Sequence, residues 1–200
     1  MRGLLQRGTL VGLLVVAGPA TRVTATVQEG EELIGTAAPG WDAVEWVNSK
    51  PLALEQLRGK VVLVRWWTGP ECPYCAASAP NLNALHDAYQ GKGVVVIGFY
   101  HHKSPTPLTR RHVEQLLRRY RFRFPVAIDP EWRTLKRWWL DGHEHRWTSV
   151  SFLVDQEGSI RYIHPGGSYT DEDVATLTSL IEGLLARPLT TLSRNALVMA

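Results

Sequence analysis

Two unbroken apolar runs dominate the middle of the chain, Val61-Val62-Leu63-Val64 and Val94-Val95-Val96-Ile97-Gly98-Phe99-Tyr100. Continuous runs rich in β-branched residues predict strands covered on both faces. Between them the apolar period changes: Ala79, Leu82, Leu85 and Tyr89 recur at helical spacing, so one helix face can pack on a sheet. Pro80 falls inside this pattern and predicts a kink, while Gly91 and Gly93 mark its end. Strand, helix and strand in this order predict a parallel pair joined by a right-handed crossover.

The rest of the chain extends that unit. Leu52 to Leu57 followed by Arg58-Gly59-Lys60 reads as a turn into the first strand, and the stretch after His101, with Pro105 and Pro107, as a surface loop. Val113, Leu116, Leu117 and Tyr120 share a helical face, with Arg110, Arg111, Arg118 and Arg119 on its solvated remainder. Residues 124–128 read as a short edge strand, because Pro125 brings no ladder donor, and Trp132, Leu135 and Trp139 line a short helix. Val150 to Val154 and Ile160 to Ile163, joined through Asp155-Gln156-Glu157-Gly158, read as a β-hairpin. Thr170 with Asp173 three residues on resembles a capping box for a last helix with Val174, Leu177, Ile181 and Leu184 on its core face. The class is α/β, in one domain over residues 35–186, with 187–200 a tail.

The only two cysteines in 200 residues, Cys72 and Cys75, sit where the first strand hands over to the first helix. A sulfur at a helix N-terminus faces unpaired backbone N–H groups and the positive end of the dipole, which favour thiolate over thiol. Pro73 suits the first turn of that helix, where a missing N–H costs nothing. Cys75, one turn on, comes within bonding reach of Cys72, so the pair can cycle between dithiol and disulfide. The CxxC is also half of a zinc site, but no second cysteine pair completes one.

Composition adds the compartment. Arg2 and Arg7 with the apolar stretch from Thr9 to Ala20 and the small-residue site Val23-Thr24-Ala25 read as a signal peptide over residues 1–25. A polar, flexible lead-in follows at 26–34, and an uncleaved leader would instead anchor the chain in the membrane. The leader carries Arg2, Arg7 and Arg22 and no acid, so the balance of 22 basic against 19 acidic residues becomes 19 against 19 in the mature chain. Neutrality withdraws the case for a nucleic-acid partner. In an exported, periplasmic setting a CxxC closes too small a loop to be a useful staple, which favours a redox-active pair.

These features together resemble the thioredoxin fold, and more closely the exported redoxins of the TlpA and ResA type. The resemblance rests on Ala38-Pro39 with Leu54 to Lys60, on Trp66-Trp67 before the CxxC, on Cys72 to Pro80, and on Phe152-Leu153-Val154-Asp155 with Gly158. It implies a central mixed sheet with helices on both faces, no cofactor, and a monomer that exchanges disulfides with protein substrates and draws electrons from a membrane thiol-disulfide donor. Carried over, Cys72 is the nucleophile and Cys75 the resolving thiol, acting through a mixed disulfide. The family's cis-proline before the hairpin is replaced by Ser149, following Thr148. With Trp67 and Tyr74 these two residues are the candidate substrate contacts. Glu71 opposes a thiolate electrostatically, and Arg65, where thioredoxins carry a buried acid, favours one.

Two other readings use the same residues. His143 or His145, in the segment leading to the hairpin, could join the two sulfurs around copper(I) or zinc, as in a Sco-like metallochaperone, although that family spaces its cysteines one residue further apart. A thiol peroxidase would need Thr or Ser three residues before the reactive cysteine, where this chain has Gly69. The eight tryptophans are otherwise core residues, with Trp67 and Trp147 able to wall the sulfurs.

Overall fold

The computed structural model describes residues 29–43, 45–69 and 72–187, so the leader, Glu71 and all of the tail but Arg187 lie outside the described residues. The strands are β1 (Glu45–Val47), β2 (Val61–Trp67), β3 (Val94–His101), β4 (Val126–Asp129), β5 (Val150–Val154) and β6 (Ile160–Pro165). They form one sheet in the order β1-β4-β3-β2-β5-β6. β2, β3 and β4 run parallel, in the register Val61↔Val94 and Gly98↔Val126, while β1, β5 and β6 each join antiparallel. The helices are α1 (Pro73–Tyr89), α2 (Arg110–Tyr120), the short α3 (Arg133–Leu135) continued by a π-helical turn Lys136–Leu140, and α4 (Asp171–Leu185). No described helix is long and apolar enough to cross a membrane.

β2 is buried along its whole length, and its alternation divides the core in two. Val61, Leu63 and Trp67 face a cluster with Leu82 of α1, Leu117 of α2 and Leu177 of α4. Val62, Val64 and Trp66 face a second cluster with Leu54, Leu135, Trp138, Trp139 and Phe152. Helical segments therefore cover both faces, but unequally: the three long helices share one face and short turns roof the other. The roof is aromatic, with Trp66 stacked on Phe99 at 4.9 Å and Trp138 edge-on to Phe152 at 5.2 Å.

Local signals set the element ends. Thr109 caps α2 by accepting from the His112 N–H, and Thr170 with Asp173 makes the reciprocal box that opens α4. Pro80 lies within α1, which continues to Tyr89. The edge strand expected at 124–128 is instead the interior strand β4, between β3 and β1. Pro125 sits just before it and uses only its carbonyl, which accepts from the Gly98 N–H at 2.9 Å, so its missing donor leaves no gap in the ladder. In place of a free lead-in, residues 29–34 dock on the domain: a Cβ on Gly30 would come within 2.6 Å of the Trp139 ring, and Leu33 packs on the aromatic cluster.

His101, at the end of β3, is fully buried, with Nε2 at 3.2 Å from Thr148 Oγ1 and its ring edge-on to Trp132. Burial first, then the charges of Lys103 and Arg65, push its pKa from 6.5 down to about 3. An unfolded histidine takes up its proton near 6.5, so between these values the unfolded chain binds more protons than the folded one. The stability that neutral His101 provides is thus complete above the unfolded value and is lost as pH falls toward the folded one, at up to about 1.4 kcal/mol per pH unit. Urea unfolding from pH 7 down to 4 should show this loss, and His101→Gln should flatten it. An equal slope in the variant would reject the assignment.

Candidate active site

Cys72 is the N-cap of α1, with extended backbone, and the Cys75 N–H donates to its Sγ at 3.2 Å. Pro73 occupies the first turn without cost, as a residue lacking an N–H should. One turn of helix brings the Sγ atoms within 2.6 Å of each other, with Cys72 half-buried and Cys75 buried. The two sulfurs are therefore unequal: Cys72 can meet a partner, and Cys75 can meet only Cys72 and the groups behind it.

Ser149 is one of those groups, its Oγ lying 3.2 Å from Cys75 Sγ. Burial and the hydrogen bond to Cys72 push the Cys75 thiol up, while Ser149, the positive charge of Arg65 and the backbone of Thr68 pull the other way. In the dithiol form Cys75 is thus held toward the protonated thiol, with groups in place to ease the release of its proton.

Arg65 occupies the β2 position between Leu63 and Trp67 on the long-helix side of the sheet, and it is completely buried. Its guanidinium donates to Ser151 Oγ at 3.0 Å and to the carbonyls of Gly166 and Gly167 at 2.8 and 2.6 Å, and it lies 5.2 Å from the centre of the Tyr169 ring. Among the described residues no carboxylate pairs with it. Hydrogen bonds from a charged donor contribute about 1.5–3 kcal/mol each, which offsets the cost of burying the charge.

A groove of 330 Å³ opens over Cys72, lined by Tyr74, Lys103, Trp147, Thr148 and Ser149 among others. Tyr74 and Trp147 are two of only three large apolar side chains exposed among the described residues, at 55% and 46%. Gly167 closes one wall, pressed so near that a Cβ there would fall 2.4 Å from the Tyr74 Cβ. A larger cavity of 510 Å³ beside Asn48 and Arg118 holds no sulfur and no buried nucleophile.

Of the residues singled out in the sequence, Cys72, Cys75, Tyr74, Thr148, Ser149 and Arg65 are brought together. Trp67 is not on the groove: it is 1% exposed and packs against Tyr100 and Phe122, because its place in the β2 alternation turns it under the helices, over the space left by Gly98. His143 and His145 turn away from the sulfurs to Glu32 and Glu29, and His145 stacks on Trp139. The sequence reading missed His101 behind Thr148, Lys103 and Arg146 on the rim, and the Gly166-Gly167 turn. The paired glycines after a strand were the available signal for the last of these.

Residues 34–181 match the family model described as Redoxin. The chain belongs to the redoxin family. Within that family it is of the ResA and TlpA type: it is 28% identical over 150 residues to the thiol-disulfide oxidoreductase ResA of Halalkalibacterium halodurans, covering 73% of this chain and 78% of that protein. Protein DipZ of Mycobacterium tuberculosis is 29% identical over 142 residues, 69% of this chain but only 20% of DipZ, so this redoxin spans about one fifth of that relative. A crystal structure of a thiol-disulfide isomerase from Corynebacterium glutamicum superposes with a TM-score of 0.60 at 31% identity, covering 76% of this chain and 98% of that one. The fold is thioredoxin-like.

Ser149→Ala removes the hydroxyl that favours the Cys75 thiolate. Resolution of the mixed disulfide should slow roughly three- to tenfold at neutral pH, the worth of one hydrogen bond, and its pH profile should move to higher pH. Quenched-flow mass spectrometry with a peptide disulfide reads both, and an unmoved profile would show that the hydroxyl plays no part.

Proposed function

We propose that this redoxin is an exported thiol-disulfide oxidoreductase that reduces disulfides in protein substrates. The observation that carries the reading is the pair of unequal sulfurs, Cys72 at the groove and Cys75 buried 2.6 Å behind it. Cys72 thiolate attacks one sulfur of a substrate disulfide, forming a mixed disulfide and releasing the other sulfur as a thiolate. Cys75 then gives up its proton and attacks Cys72 Sγ, breaking the mixed bond and releasing the second substrate thiolate. The substrate gains two electrons and, after protonation, two protons, and the CxxC is left as a disulfide. A membrane thiol-disulfide donor returns it to the dithiol.

The groove supports a polypeptide substrate. Exposed Tyr74 and Trp147 offer flat apolar surface, and Lys103 and Arg146 add positive charge on the rim, so an extended segment with acidic residues near its cysteine fits best. Tyr74, Thr148 and Ser149 are the contacts assigned to that segment. Export rests on the leader-like pattern of residues 1–25.

With a protein disulfide as substrate, Cys72→Ser should abolish exchange, and Cys75→Ser should accumulate a mixed disulfide visible on a non-reducing gel. Exchange that survives Cys72→Ser would remove the proposal. The potential gives direction: a value near or below about −220 mV fits a reductant, and one near −120 mV an oxidant.

A further inference from the structure

We propose that Glu32, His143 and His145 form a binding site for a zinc-like divalent cation, separate from the cysteines, that ties the N-terminal segment to the loop walling the groove. One ligand atom from each of these three residues lies within 4.8 Å of the other two. His143 Nδ1 is 3.0 Å from a Glu32 carboxylate oxygen, and the two imidazoles stack with centres 5.0 Å apart.

A second observation is independent of that clustering. Glu29 accepts at 3.1 Å from His145 Nδ1 and at 2.6 Å from the Arg146 N–H, which fixes the ring and leaves Nε2 as its ligating atom. That side chain is only 5% exposed, and its Nε2 has no hydrogen-bond partner among the described residues. A buried nitrogen left unpaired costs stability, and a carboxylate bonded to the far nitrogen is how metal-ligating histidines are commonly oriented. Trp139, stacked on His145 at 3.4 Å, holds the ring from the other side.

Two imidazoles and a carboxylate, with a fourth position open, suit zinc better than copper(I), which the thiolates would take. Zinc bonds of about 2.0–2.1 Å place tetrahedral ligands about 3.3 Å apart, so the widest separation in the cluster must draw in by up to about 1.5 Å. Glu32 and His143, with side chains 48% and 31% exposed, are free to swing, while His145 stays fixed. The loop carrying both histidines continues through Trp147 to Ser149, so the cation would stiffen the groove wall beside Cys75.

The test uses the tag-free full chain with its CxxC oxidised, so that the thiolates cannot compete, titrated with zinc against a chromophoric chelator. One zinc per chain is expected. His143→Ala and Glu32→Gln, both at partly exposed positions, should weaken binding by at least about tenfold, the lower end of what losing even an outer partner costs. No binding, or binding that both variants leave unchanged, overturns the inference. Disulfide exchange measured in excess chelator reads the proposed oxidoreductase activity separately, so either idea can fail alone.

Discussion

The buried guanidinium of Arg65 is the constraint on which the site depends. A permanent charge in the middle of β2 must be satisfied from within, and its partners are a hydroxyl and two backbone carbonyls rather than a carboxylate. Those carbonyls belong to the Gly166-Gly167 turn, which the cation pulls down onto the start of α1. The turn can come that close only because Gly167 lacks a Cβ, and Tyr74 fills the space such an atom would need. One charge thus sets the height of a groove wall and also acts on the resolving thiol.

The two sulfurs are divided by burial more than by sequence position. Cys72 caps a helix at the floor of the groove, and Cys75 is one turn inside, where desolvation keeps its proton in place. In the proposed reaction its ionisation is what lets it attack Cys72 Sγ and release the reduced substrate. Ser149 and Arg65 favour the charged form, so the proton leaves more readily than burial alone would permit.

Much of this was legible in the chain. The unbroken strands, the CxxC with Pro73, the hairpin and the Thr170 box are local patterns, and each is found where its pattern places it. What the sequence hid was partnership over distance. Arg65 is 101 and 102 residues from the two carbonyls that hold it, and nothing in its own neighbourhood names them. Trp67 looked like a groove residue because it adjoins the CxxC, but alternation along β2 decides its side, and proximity in sequence does not. His143 and His145 were drawn toward the sulfurs by position, whereas Glu29 and Glu32, in a segment read as a loose lead-in, claim them.

The groove is assembled from separate parts of the chain. Tyr74 comes from α1, Thr148 and Ser149 from the approach to β5, and Gly167 from the turn after β6. Arg65 ties β5 to the glycine turn through Ser151 and the Gly167 carbonyl, and Ser149 ties the same turn to α1, its carbonyl accepting from the Gly166 N–H at 2.8 Å and its Oγ lying 3.2 Å from Cys75 Sγ. Trp147, Lys103 and Arg146 stand outside that network, on the rim. Under the proposed function, their substitution would alter which polypeptide segment docks without disturbing the guanidinium, the serine or the sulfurs, so substrate choice and thiol chemistry would be physically separable in this fold.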